Sequence, residues 1–131
     1  MKYALMAACA VIVSAPVSQA QDLSQFFSSY IAFGDSLTDD GKFAGTPFEP
    51  GLPSLGGRFS NGRTYAEIIS DDFTVNFNFA IGGATARNEN ENLLPPEFGT
   101  FGGQVATFTG LVANPLAQAA VGDRPLFSVL F

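Results

Sequence analysis

Tyr30-Ile31-Ala32-Phe33-Gly34-Asp35-Ser36-Leu37-Thr38-Asp39 is the stretch whose reading decides the fold. Ser29 to Phe33 has the apolar content of a short strand. Gly34 and Asp35 end it, and Ser36 then stands between a glycine and a polar loop. That is the layout of an exposed nucleophile at a strand's carboxyl end. Taken alone, Gly-Asp-Ser reads first as an ordinary turn in which Asp35 caps a helix. The 131 residues contain no histidine, so the usual general base for a serine nucleophile is missing from the sequence.

Downstream, Leu37 to Gly57 is rich in glycine and proline and reads as a long surface loop, a kind of segment that is often functional. Asn61-Gly62 signals a turn. Thr64 caps a predicted helix over Tyr65 to Ser70, with Glu67 at capping-box spacing and Tyr65, Ile68 and Ile69 on its buried side. Phe73 to Phe79 alternates: Phe73, Val75, Phe77 and Phe79 are expected on one face of a second strand. Ala80-Ile81-Gly82-Gly83-Ala84-Thr85 follows as a glycine turn. The residues from Arg87 to Glu97 read as an acidic loop ending in Pro95-Pro96. A second helix is expected over Gln104 to Ala113, with Val105, Phe108, Leu111 and Val112 on one side and Gly110 weakening it. Asn114-Pro115 breaks the pattern, Leu116 to Ala120 supports another helical turn, and Pro125 to Phe131 reads as a third strand buried on both faces. Strands alternating with helices imply parallel pairing in a doubly wound sheet, whose ligands bind at the strands' carboxyl ends. Ser36 and the Gly82-Gly83 turn are both at such ends, so both are expected to face one site.

Upstream, the first twenty residues read as a signal peptide. Lys2 is a minimal positive region, Ala4 to Val13 is a short apolar run, and Ser18-Gln19-Ala20 suits cleavage after Ala20. The run is too short to span a bilayer as a helix, and Cys9 comes too early for a lipoprotein cysteine. The competing reading is an N-terminal helix. Residues 21–131 then form one small domain, exported to the periplasm, cell surface or medium, with no cysteine and hence no disulfide framework. Leaving out Lys2, five basic residues stand against twelve acidic ones. That balance argues against nucleic acid and anionic membrane surfaces as partners. Fourteen phenylalanines and a positive mean hydropathy indicate a globular chain.

Attack on an ester carbonyl needs an exposed Oγ, a base and donors for the oxyanion. The Ser36 N–H is one candidate donor. That of Gly83 is a second, because a residue without a Cβ lets the substrate oxygen approach. Three stretches in order then carry a resemblance: Phe33-Gly34-Asp35-Ser36-Leu37-Thr38-Asp39, Gly57-Arg58-Phe59-Ser60-Asn61-Gly62-Arg63 and Asn78-Phe79-Ala80-Ile81-Gly82-Gly83-Ala84-Thr85-Ala86. Together they cover most of the span from Tyr30 to Ala86. On these, the chain resembles the GDSL lipases and esterases, or SGNH hydrolases, in their larger secreted plant and bacterial subgroup. Gln104, Val105 and Phe108 fit the next family helix less specifically.

The resemblance implies a flavodoxin-like three-layer α/β/α fold, of which about three strands are present. It implies Ser36 as nucleophile and Gly83 as the oxyanion-hole glycine, with Gly34 and Gly82 supporting them. Asp35 would shape the nucleophile turn, and Asn78 would tie the second strand's end to the neighbouring loop. The competing reading of Asn78 is an outward polar residue. The family's Gly-x-Asn-Asp stretch after the third strand and its Asp-x-x-His block are both absent. The expectation is therefore that residues 21–131 are the N-terminal part of a longer domain, poorly stable alone and without triad hydrolysis.

The implied function is serine ester hydrolysis of small-molecule or lipid acyl esters, with no metal and no cofactor. The alternative is a shortened, non-catalytic relative that binds an acyl or carbohydrate ligand. Acyl length, alcohol group, oligomeric state and any further anchor or barrel are left open. Among the remaining polar residues, Asp39 and Asp40 read as solvated or capping, and Glu89, Glu91 and Glu97 as a wet loop. Arg58, Arg63 and Arg87 read as surface pairs before substrate contacts. Phe43, Phe48 and Phe59, in or beside the long loop, are candidates to line an acyl pocket.

Overall fold

A computed structural model describes residues 22–87 and 99–131. The signal peptide with its cleavage after Ala20, Cys9, and the loop carrying Glu89, Glu91 and Glu97 lie outside the described residues. A 3-10 turn, Leu23–Gln25, leads into β1 (Ser29–Gly34). The other elements in order are α1 (Tyr65–Ser70), β2 (Asn76–Asn78), α2 (Phe101–Val112), α3 (Pro115–Val121) and β3 (Pro125–Leu130). The three strands form one sheet in the order β2-β1-β3, and both pairings are parallel. The chain thus leaves β1 for one side of the sheet and crosses to the other for β3. The carboxyl end of β1 is consequently a topological switch point, where open α/β sheets bind their ligands.

Every residue of β1 is buried. Its side chains alternate between two layers, as strand geometry requires. Tyr30 and Ala32 pack with Ala66 and Phe73, against Tyr65 and Ile69 of α1 and Leu23 and Phe27. Ile31 and Phe33 pack on the other face with Phe79 and Val121, against Phe101, Val105, Phe108, Leu111 and Val112 of α2. The architecture is α/β/α in three layers, as expected. Phe33 is the hub of the second layer: its ring lies 5.6 Å from Phe79, 5.9 Å from Phe101, 6.0 Å from Phe108 and 6.2 Å from Phe127. Offset and edge-on ring pairs at these separations add to area burial about 0.5–1.5 kcal/mol each.

The local signals in the sequence explain the helices. Thr64 and Glu67 form the expected capping box of α1. Thr100 caps α2, which begins three residues ahead of the expected start, by accepting from the Gly103 N–H. Asn114 caps α3, with Pro115 in the first turn where a missing N–H costs nothing.

Four expectations need correction. Ile68 is 60% exposed and Ala66 is the buried residue of α1, because a six-residue helix presents only one narrow stripe to the sheet. Phe73 does not share a face with Phe77 and Phe79. It belongs to the Tyr30 layer and they to the Phe33 layer, since β2 proper is only three residues long and the two-residue period does not extend through the bend before it. Of the two readings of Asp39, solvated or capping, burial excludes the first, and its carboxyl caps the Gly41 and Lys42 N–H groups. Finally, β3 is not buried on both faces: Phe127 is 47% and Val129 53% exposed. In the described structure β3 is an edge strand, pairing with β1 alone.

Candidate active site

Ser36 follows the switch-point end of β1 in a tight turn. The Asp35 N–H donates to the Leu130 carbonyl at 3.2 Å, joining the turn to the end of β3. Thr38 and Asp39 N–H groups then both donate to the Asp35 carbonyl, at 3.1 and 3.0 Å. The Asp35 side chain accepts from the Leu37 N–H at 3.0 Å, an Asx-turn that brackets Ser36. Gly34 is required here by close approach: a Cβ on it would collide with the Leu130 carbonyl oxygen and lie 2.7 Å from Thr38 Oγ1. Ser36 itself is half-buried. Among the described residues its hydroxyl and its N–H have no hydrogen-bond partner.

The second glycine turn follows β2. Phe79 donates to the Ala32 carbonyl at 2.8 Å and Ile81 to the Gly34 carbonyl at 3.2 Å, so residues 79–81 continue alongside β1. The Ala84 N–H closes a turn onto the Ile81 carbonyl at 3.1 Å. Gly83 occupies its third position with φ of 86°, a conformation that suits glycine. Gly82 is buried and Gly83 exposed.

Side chains lace the two turns together. Asn78 Nδ2 donates to the Thr38 carbonyl at 2.8 Å, while its Oδ1 accepts from the Ala80 N–H at 3.0 Å. Asp39 Oδ2 accepts from the Gly82 N–H at 2.8 Å, and Asp39 Oδ1 from the Gly41 and Lys42 N–H groups at 2.9 Å each. From the helical layer, buried Gln104 closes on Gly34 twice: Oε1 accepts from its N–H and Nε2 donates to its carbonyl, both at 2.9 Å. On the other face, Thr38 Oγ1 meets the Tyr65 hydroxyl at 3.2 Å, and the Tyr30 hydroxyl meets Ser128 at 2.7 Å. Burial is the main reason the Tyr30 phenol is pushed up from its ordinary value. Ser36 and Gly83 thus belong to two turns held by one network of buried polar groups.

In the sequence Asp39 reads as solvated or capping, because nothing local shows that Gly82 would be its partner. Gln104 carries a signal in the sequence: it is a polar residue on the apolar stripe of α2, one turn from Phe101 and Phe108.

Arg58 and Arg63 take the surface pairings expected of them. Arg58 holds Glu67 through two bonds of 2.8 and 2.6 Å, and Arg63 holds Asp71 through two of 2.8 and 2.7 Å. The Arg58 guanidinium, more than the helix-capping bonds, holds the Glu67 carboxyl at about 2. Lys42 pairs with Asp40. The loop phenylalanines cluster: Phe43 lies edge-on to Phe59 at 5.7 Å and to Phe48 at 6.4 Å. Phe59 itself abuts Gly82. Among the described residues no acidic, cysteine or histidine cluster could hold a metal, and no helix is long and apolar enough to cross a membrane.

The model of the GDSL-like lipase/acylhydrolase family matches residues 30–122. Relatives include a GDSL esterase/lipase of Arabidopsis thaliana, 33% identical over 89 residues, and a phosphatidylcholine-sterol acyltransferase of Aeromonas hydrophila, 36% identical over 98 residues. These alignments cover 46% and 69% of this chain, but only 23% and 28% of the relatives, so the chain spans about a quarter of their length. No solved structure matches. The matched span runs from β1, through both laced turns, to the end of α3, and on that ground the chain belongs to the GDSL-like lipase/acylhydrolase family.

Proposed function

We propose that the protein carrying this chain is an exported serine ester hydrolase acting on small-molecule or lipid acyl esters, with Ser36 as nucleophile. The observation that carries the reading is the pairing of the Ser36 turn, at the switch point of the sheet, with the Gly82-Gly83 turn. Ser36 Oγ attacks the ester carbonyl carbon and forms a new C–O bond. Its proton passes to a general base. The carbonyl oxygen takes up negative charge against the Ser36 N–H and the Gly83 peptide. Collapse of the intermediate breaks the bond to the alcohol, which leaves with the proton and an acyl-serine behind it. Water then attacks the acyl-serine by the same route and releases the acid.

These 131 residues contain no histidine. The family pattern assigns the base to the histidine of an Asp-x-x-His stretch and a further oxyanion donor to the Asn of a Gly-x-Asn-Asp stretch. We read both as residues of the whole protein outside this sequence. Each oxyanion donor of this kind is worth about 100- to 1000-fold in kcat.

The test uses the protein at the mass its native cells give it, assayed on p-nitrophenyl butyrate beside Ser36→Ala. The expected result is turnover in the native protein that falls at least 1000-fold in the variant, with stoichiometric fluorophosphonate labelling at Ser36. Binding of an acyl or carbohydrate ligand without Ser36-dependent turnover would instead establish the non-catalytic alternative, for which the missing histidine is the supporting observation.

A further inference from the structure

Two adjacent glycines, Gly82 and Gly83, make one of the most conformationally free dipeptides. An oxyanion donor must be held in place before the reaction to be of use. The freedom of this turn therefore has to be removed by its surroundings. Two side chains outside the proposed nucleophile and donors meet that need, both from the 39–59 segment.

Asp39 is fully buried, with no ion pair among the described residues. One of its oxygens takes the Gly82 N–H at 2.8 Å. The other takes the Gly41 and Lys42 N–H groups at 2.9 Å, which fixes the carboxyl plane against the neck of the long loop. Phe59 meets Gly82 from a second direction: a Cβ on Gly82 would collide with the edge of the Phe59 ring, at its Cε2. Phe43 backs that ring at 5.7 Å. The loop neck is itself closed, since a Cβ on Gly57 would run into the backbone of Ala44 and Gly41.

We propose that Asp39 and Phe59 are positioning residues that clamp Gly82 between them and so aim the Gly83 peptide at the substrate's carbonyl oxygen. This rests on the ester hydrolase reading and deepens it: neither side chain needs to touch substrate, and both act through Gly82.

The experiment compares Asp39→Asn, Phe59→Ala and Phe59→Leu in the native protein. Readouts are kcat and KM on p-nitrophenyl butyrate, normalised to sites titrated to completion with a fluorophosphonate, together with affinity for a trifluoromethyl ketone, whose hemiketal mimics the tetrahedral oxyanion. With sub-ångström displacement of one donor, kcat per titrated site should fall about 10- to 100-fold in Asp39→Asn and about 3- to 10-fold in Phe59→Ala. KM should change less than about threefold in both, with ketone affinity falling in step with kcat. Phe59→Leu should recover part of the loss. A purely structural role predicts fewer titratable sites and a lower Tm with kcat per site unchanged, and that result would overturn the inference. Should Asp39→Asn not fold, the Phe59 pair decides by the same ratio. Absence of Ser36-dependent turnover in the unsubstituted protein overturns the hydrolase reading and this inference together; normal turnover with unchanged variants overturns this inference alone.

Discussion

Gln104→Leu tests whether a single buried amide holds the carboxyl end of β1 in place. Gln104 is fully buried and makes two 2.9 Å bonds to Gly34, two residues before Ser36. Leucine fills a similar volume but offers neither donor nor acceptor. The Gly34 carbonyl keeps its bond from the Ile81 N–H, so its loss is that of an ordinary hydrogen bond, about 1 kcal/mol. The Gly34 N–H keeps nothing in the described structure and is buried without a partner, which costs about 1–3 kcal/mol. Leucine's gain on burial offsets about 1 kcal/mol. A net destabilisation of about 2 kcal/mol results, a large share of the roughly 5–15 kcal/mol available to a domain. With a urea dependence of about 1–3 kcal/mol per molar, the unfolding midpoint should move down by about 1 M at unchanged slope. Far-UV circular dichroism in a urea titration measures it. A shift below about 0.2 M would refute the reasoning and mean that water or a neighbouring group replaces the amide at no cost.

Two other substitutions probe the frame of the site. Glu67→Gln removes the carboxyl that Arg58 holds at about 2, below its ordinary 4.5. Because the folded value is the lower one, the stabilisation is fully present above pH 4.5 and is lost as pH falls through about 2. Glu67 pairs with Arg58 at the protein's surface, where solvent screens the interaction, so the variant should be about 1–2 kcal/mol less stable at pH 7, with the gap closing toward pH 2. Urea midpoints across that range check it, and a gap independent of pH would count against the Arg58 pairing. Asn78→Ala removes the bond to the Thr38 carbonyl at 2.8 Å and that from the Ala80 N–H at 3.0 Å. A loss of about 1–3 kcal/mol is expected by the same titration, together with a lower kcat on p-nitrophenyl butyrate. Equal stability would mean that Asp39, Phe59 and the Ile81–Gly34 backbone bond hold the two turns without it.

Much of the fold was legible because its signals are local. Thr64 and Glu67 announce α1 through a capping box that needs only four residues. Asn114-Pro115 announces α3 in the same way. The Tyr30–Phe33 run, ending in Gly-Asp-Ser, marks a central strand whose carboxyl end is the switch point of the sheet. Phe73 misled because alternation is a property of extended backbone, and the backbone bends before Asn76. For β3, an apolar composition indicates an appetite for burial and not the presence of anything that buries it.

From sequence alone came the order of strands and helices, the family, and Ser36 and Gly83 as the residues to watch. Those depend on neighbours along the chain or on motifs short enough to read. The tertiary structure alone decided that Asp39, Gln104 and Phe59 converge on Gly34 and Gly82, across separations of 43, 70 and 23 residues. Their partners are backbone N–H and carbonyl groups and a glycine face, which every sequence position offers alike. Only the folding of the sheet selects which of them a side chain meets.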